Sequence, residues 1–344
     1  MICFAWDGFP QYAARCIGAF VSSTKERVVV VATRPVVPIE GMERVCGCQV
    51  FWVSDDEART LRDLLGDIPR AIVVSGWGIS VFNAYRDEVR NAGGKAIAMI
   101  DHNFRLGLKE LVKAVRFRFL LRNKFDGFFV PGKSGRRLLR FYGVGEERIA
   151  TGMYSADNSL FSQGKPLRER EKRIIYVGQF IERKNVRRMI RAFQTVTSSR
   201  NDGWALHLYG SGPLKDELVR MSGGSVHVHP FAQPEQLAGL YHEARAFCLP
   251  SLEEHWGLVV HEAALSGCVL LLSDKVGAVE DLLGTHNGFS FEPKSETGMI
   301  QTFVKVMAMN EDALVVAQQE SLDLAKTISI DKFVDGINAL LKVR

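Results

Sequence analysis

No apolar stretch in the 344 residues approaches the roughly 18 that a membrane-crossing helix needs, so runs such as Val28–Ala32 and Val269–Leu272 are expected as buried strands. The N-terminal Met-Ile-Cys-Phe-Ala-Trp-Asp has neither a basic flank nor a long apolar run, and a secretory signal is not expected there. Cysteine is sparse. Six residues scattered over the chain make no disulfide framework. Cys46 and Cys48 form a C-x-C, but no second Cys/His pair lies close enough in sequence to suggest zinc. All six are expected as reduced, partly buried thiols in a cytoplasmic protein. Internal repeats and low-complexity segments are also missing, and 47% hydrophobic residues are too many for a disordered chain.

The signatures of several phosphate chemistries are absent too. The first turn, Trp6-Asp7-Gly8-Phe9-Pro10, is not G-x-G-x-x-G, and no such fingerprint follows another early strand, which weakens a dinucleotide-binding reading. A P-loop is not expected. No D-x-D occurs, and the acidic run Asp55-Asp56-Glu57 is read as a helix start, so a divalent metal on phosphates is not expected.

Charge is present but unevenly placed. The chain sums to +5, yet Arg105–Arg140 holds eleven Lys or Arg against two acids, a net +9. Such a stretch favours an anionic partner. Val112–Leu121, VKAVRFRFLL, interleaves those charges with Phe117, Phe119, Leu120 and Leu121, as in helices that lie in a membrane interface. The alternative is a helix packed on a sheet with solvated charges, Phe117, Leu120 and Leu121 pointing inward. Nucleic acid is not among the expected partners.

Short apolar runs alternate with amphipathic stretches throughout. Strands are expected at Met1–Ala5, Arg27–Ala32, Ala71–Ser75, Lys95–Ile100 and Gly127–Val130, with helices at Gln11–Ser22, Ser80–Asn91, Gly107–Leu121 and Ser134–Tyr142. The polar, charged stretch Ser155–Lys172 reads as a linker. A second series follows, with strands at Arg173–Val177, Trp204–Tyr209, Ser225–His229, Ala246–Leu249, Val269–Ser273 and Gly288–Phe291. Its helices are expected at Val186–Thr197, Pro213–Met221, Pro234–Ala244, Leu258–Ser266 and Ala278–Leu283, before a helical tail. The expected fold is α/β: two doubly wound, Rossmann-like parallel-sheet domains facing a cleft, with ligand at the carboxyl ends of strands. The expected boundaries are a first domain at 1–154, a linker at 155–172, a second domain at 173–327, and a C-terminal helix at 328–344 packing back on the first domain.

The second half holds the most specific pattern. Gly178-Gln179-Phe180-Ile181-Glu182-Arg183-Lys184-Asn185 follows a strand and opens a helix, and Gly210-Ser211-Gly212-Pro213 makes a second tight turn. In Pro250-Ser251-Leu252-Glu253-Glu254-His255-Trp256-Gly257-Leu258-Val259-Val260-His261-Glu262, residues Gly257–Val259 start a helix whose amides suit a diphosphate. Glu254 before that helix and Glu262 two turns into it are placed to grip hydroxyls on either side, although each alone reads as solvation of a helix start. In order, these motifs, with Ala263-Ala264-x-x-Gly267, resemble family 4 of the retaining glycosyltransferases. The resemblance is strong over Arg173–Pro293, fainter over Phe125–Phe161, and topological upstream.

The resemblance implies the GT-B fold and metal-independent, retaining hexosyl transfer from a nucleotide diphosphate sugar, uridine first and guanosine second. The acceptor would be a glycan or lipid-linked species in cell-surface polysaccharide or glycolipid synthesis. The protein would be cytoplasmic, with a peripheral contact at the inner face of the membrane. It implies that Lys184 contacts the diphosphate, that Gly178, Gly210 and the Gly257–Leu258–Val259 backbone line the donor site, and that Gly8 lets the first loop approach it. Glu262 would bind the ribose, Phe231 would lie beside the base, Glu254 would hold the transferred sugar, and His102 would lie near that sugar. Where the family has arginine after the strand-end glycine, this chain has Gln179; either the lost charge weakens donor binding or Arg183 substitutes from the neighbouring position. The rival readings are a non-catalytic nucleotide-sugar-binding protein and, more distantly, a Rossmann-type dehydrogenase.

Overall fold

The computed structural model describes residues 1–35, 41–104, 107–162, 164–200 and 202–343; Arg105, the start of the basic window, lies outside them. The chain divides into two compact units, Met1–Ser155 with Ser329–Arg344, and Ala156–Ile328.

In the first unit, strands alternate with helices: β1 (Ile2–Trp6), α1 (Gln11–Ser23), β2 (Val28–Ala32), α2 (Met42–Cys46), β3 (Gln49–Trp52), α3 (Leu61–Leu65) and β4 (Ala71–Ser75). Then come α4 (Ser80–Asn91), β5 (Lys95–Met99), α5 (Leu108–Leu120), β6 (Gly127–Val130), α6 (Lys133–Phe141) and β7 (Ile149–Thr151). The seven strands are parallel in the order β3-β2-β1-β4-β5-β6-β7. Period-two alternation divides the core. Phe4, Val30, Val73 and Ile97 face Ile17 and Phe20 of α1, while Cys3, Val31, Ile72 and Val74 face Phe82, Tyr85 and Val89 of α4. Because both faces are covered, the strands read as continuous apolar runs.

The second unit comprises α7 (Asn158–Phe161), β8 (Glu171–Val177), α8 (Val186–Thr197), β9 (Ala205–Tyr209), α9 (Lys215–Met221), β10 (Val226–His229), α10 (Pro234–Glu243) and β11 (Ala244–Leu249). It continues with α11 (Leu258–Leu265), β12 (Val269–Ser273), α12 (Val279–Leu282), β13 (Gly288–Phe291), α13 (Glu296–Met307) and α14 (Glu311–Lys326). Its six parallel strands run β10-β9-β8-β11-β12-β13. The final helix, α15 (Ile330–Lys342), belongs to the first unit, with Phe333, Ile337 and Leu340 in the core beside Phe4 and Phe129.

Several readings of the sequence change here. The stretch Ser155–Lys172 is packed into the second unit from Ala156 on, because Phe161, Leu167 and Arg170 are buried among its charged neighbours. The Arg170 guanidinium donates to the carbonyls of Lys165, Tyr241, Ala244 and Ser266 at 2.7–3.2 Å. Asp55-Asp56-Glu57 starts no helix; Glu57 pairs with Arg59, and α3 begins at Leu61 under a Thr60–Asp63 capping box. Gly127–Ser134 does spell G-x-x-x-x-G-K-S, but its first four residues are β6. Only Pro131 and Gly132 separate that strand from α6, so no phosphate-cradling loop forms. The Ser134 hydroxyl instead accepts the Phe104 amide at 3.1 Å.

Candidate functional site

In the second sheet the strand order reverses at the β8–β11 pair, and ligands of such sheets bind beyond the carboxyl ends at that reversal. The loops leaving β8 and β11 are bound together there. The Leu252 amide donates to the Arg183 carbonyl at 2.8 Å, and Asn185 Nδ2 donates to Pro250 and Pro293 carbonyls at 3.1 and 2.8 Å. Asn185 takes the left-handed conformation (φ 57°) that swings the chain into α8.

This clasp brings Lys184 and Glu254 into a buried ion pair across 70 residues of chain. Ser251, fully buried, donates its hydroxyl to Glu254 Oε2 at 3.2 Å. Arg183 donates to the Glu253 carbonyl at 2.8 Å and lies 3.8 Å from Glu254 Oε1. Gln179 is exposed, and its carbonyl accepts the Tyr176 hydroxyl at 2.9 Å. The Glu254 backbone is held in turn by the loop after β12, through Lys275 and Gly277.

Gly257 precedes α11 with φ 93°, a left-handed bend that its side-chain-free backbone makes without strain. Glu262 lies little more than one turn into that helix, short of the two turns expected, and receives the Tyr241 hydroxyl at 3.3 Å. Burial, then the Glu262 charge, drives the Tyr241 pKa well up, so its proton stays in place. A Cβ on Gly210 would lie 1.9 Å from the Gly178 carbonyl oxygen, so these two loops touch backbone to backbone. Phe231 is exposed in the loop after β10, two strands from the reversal.

In the first unit the order reverses between β1 and β4. A cavity of about 510 Å³ opens beyond their carboxyl ends, lined by Asp7, Gly8, Tyr12, Trp77, Asp101 and His102 among others. Thr33 pins its first loop, accepting the Gly8 amide at 2.7 Å and donating to Asp7 at 2.6 Å. The Tyr154 hydroxyl donates to Asp101 at 3.1 Å, and the His102 ring lies parallel to Trp77 at 6.3 Å. Gly8 and His102 are thus brought to one cavity. Asp7, Trp77, Asp101, Tyr241 and Ser251 escaped the sequence reading; only Ser251 lay inside a recognised motif.

Residues 157–322 match the profile of the family described as glycosyl transferases group 1. The match lies within the second unit and covers just under half of the chain. An uncharacterized glycosyltransferase of Methanocaldococcus jannaschii is 27% identical over 140 residues, 39% of this chain and 35% of that protein, so the match spans about a third of the relative's length. Among solved structures, a glycosyltransferase from Rickettsia africae superposes with a TM-score of 0.75 at 9% identity, covering 99% of this chain and 97% of that one. An Anabaena protein in complex with UDP and glucose gives 0.74 at 12% identity, with 98% of each chain covered. At these identities the likeness is one of fold. The fold is GT-B. The profile begins one residue after the second unit does, so it spans the packed segment expected as a linker, and it covers Lys184, Glu254 and Glu262 together.

Proposed function

We propose that this protein is a group 1 glycosyltransferase that transfers a hexose, with retention, from a nucleoside diphosphate donor held by its second unit. The observation that carries the reading is the Lys184–Glu254–Ser251 cluster at the strand-order reversal, with Arg183 alongside and the α11 amides beyond Gly257. A diphosphate placed there meets two cations and a helix N-terminus, donors fixed before charge develops on the leaving group. Glu254 orients the transferred sugar and stabilises positive charge on its reacting carbon; it does not attack. Glu262, oriented by Tyr241, takes the ribose hydroxyls, and Phe231 flanks the base. Gly8 and His102 line the first unit's own cavity, the place proposed for the acceptor. Boundaries near 155 and 328 separate the acceptor-binding from the donor-binding domain.

Uridine is the first base to test, since a fold neighbour was solved with UDP and glucose. Thermal shift with UDP, GDP and their hexose conjugates tests the reading. A specific ligand at a hundredfold excess over its Kd stabilises by about 2.7 kcal/mol. A rise for one base only, coupled to sugar transfer, is expected. No shift with any nucleotide overturns the donor assignment; binding without transfer or hydrolysis would favour the non-catalytic alternative.

The acceptor is proposed to be a glycan or lipid-linked, reached at an anionic membrane surface. No helix among the described residues is long and apolar enough to cross a membrane. Yet α5 exposes Leu111, Val112, Val115 and Phe119 on one side, Phe119 at 80%, and Leu120 is exposed as well. Phe117 turns fully inward, against Trp77, Phe128 and Tyr142. Exposed Arg116 and Arg118 flank the apolar face, an arrangement suited to the headgroup region of an anionic bilayer.

A further inference from the structure

The Cys46-Gly47-Cys48 turn sits at the carboxyl end of α2, immediately before β3. Gly47 at φ 62° takes the left-handed conformation that folds the chain back, and it brings the two sulfurs to 3.7 Å. The Cys48 thiol donates to the Cys46 sulfur, and Cys46 in turn contacts the Glu43 carbonyl at 3.3 Å. Cys46 is fully buried, whereas Cys48 is partly exposed.

We infer that Cys46 and Cys48 form a redox-reactive dithiol, which small-molecule disulfides of the glutathione type convert reversibly to an intramolecular disulfide. The step divides by exposure. Cys48, the reachable sulfur, loses its proton to solvent and attacks one sulfur of the external disulfide, forming a mixed disulfide and expelling one thiolate, which solvent protonates. Cys46, already in contact and out of reach of other reagents, loses its proton to solvent and attacks the Cys48 sulfur. The S–S bond to the small molecule breaks and its second thiolate leaves. Two cysteine thiols and one external disulfide thus become one protein disulfide and two small thiols. Closing 3.7 Å to a bond of about 2.05 Å needs only side-chain rotation and a small adjustment of the glycine turn.

The remaining cysteines supply the contrast. Cys3, Cys16, Cys248 and Cys268 are completely buried, and burial pushes the thiols of Cys3 and Cys16 up to about 12 and that of Cys268 to about 11. The hydrogen bond between Cys46 and Cys48 splits the pair, pulling Cys46 down to about 7 against its burial and pushing Cys48 well up, so the two sulfurs hold one proton tightly between them.

The test uses the full chain, native, incubated with oxidised glutathione and then digested with trypsin. Cleavage after Arg44 and Arg59 leaves both sulfurs on the peptide Val45–Arg59. That peptide is expected two hydrogens lighter, reverting with dithiothreitol, while peptides bearing the other four cysteines stay reduced. Cys46→Ser is expected to trap a stable glutathione adduct on Cys48; Cys48→Ser is expected not to react. A native peptide that stays in the dithiol form, or that stops at the glutathione adduct, overturns the inference. So does adduct formation in Cys48→Ser. The native-chain result stands whether or not either variant folds.

Discussion

Glu254 is one carboxylate facing Lys184, Ser251 and Arg183, and removing each neighbour asks a different question. Hydrogen bonds to charged groups are worth roughly 1.5–3 kcal/mol, about 10- to 150-fold in affinity. If Arg183 replaces the cation absent at Gln179, Arg183→Ala and Lys184→Ala each weaken diphosphate binding by that factor in calorimetry. Undiminished binding in Arg183→Ala would leave it as a tie to the Glu253 carbonyl and nothing more. Lys184→Ala also strands part of a buried carboxylate and is expected to lower thermal stability, whereas half-exposed Arg183 is not. Glu254→Gln is expected to lower kcat with donor Kd largely kept, and Glu262→Ala to raise donor Kd. Parental rates in both variants would refute the assignment. The motifs were legible because the loops are contiguous in sequence. The pairing of Lys184 with Glu254 was not, since only the fold brings together residues 70 positions apart. Tyr241 and Asp101 were missed for the same reason.

Helix α8 could be read from sequence alone: Val186, Met189, Ile190, Phe193 and Val196 recur at helical spacing and all are buried. Helices α2 and α3, of five residues each, are too short for any period to register, and β3 stayed hidden beside them. Helix α5 shows what periodicity leaves open. Its apolar residues point both ways, Phe117 into the core and Leu111, Val112, Val115 and Phe119 out, and composition alone does not divide them. Co-sedimentation with anionic vesicles is expected, falling steeply with salt because the attraction fades within a Debye length of about 10 Å at 0.1 M. Replacing Lys113, Arg116 and Arg118 by Gln should abolish pelleting at moderate salt. Phe119→Asp should weaken it at every salt concentration, and a protein that stays in the supernatant at low salt sinks the membrane reading.

His261 acts at the scale of the whole second unit. Its Nδ1 accepts the Ala156 amide at 3.0 Å, so Nε2 carries the proton it donates to the Ala325 carbonyl, also at 3.0 Å. One buried ring therefore clasps the segments by which the chain enters and leaves the unit. Burial lowers its pKa to about 4, from an unfolded value near 6.5. Between those values the unfolded chain binds more protons, so the contribution is full above about pH 6.5 and shrinks as pH falls toward about 4. The slope is at most about 1.4 kcal/mol per pH unit. Urea unfolding at pH 7 and pH 5 should show a smaller difference for His261→Leu than for the parent, because His207, lowered to about 3 mainly by burial, acts equally in both. Equal pH dependence would remove His261 from that account.

Helix α15 has a consequence for how the protein is made. Its Phe333, Ile337, Leu340 and Leu341 complete a core whose other buried members precede residue 156, yet the ribosome reaches them only after residues 156–328. At about 5–20 residues per second that detour lasts roughly 10–35 s. Through that interval Phe4, Phe129 and their neighbours wait on a sheet face without its last cover, while the second unit, contiguous in the chain, is free to finish folding. A nascent chain stalled at Ile328 should therefore recruit hydrophobic-binding chaperones through its earlier half, and release them once α15 clears the exit tunnel.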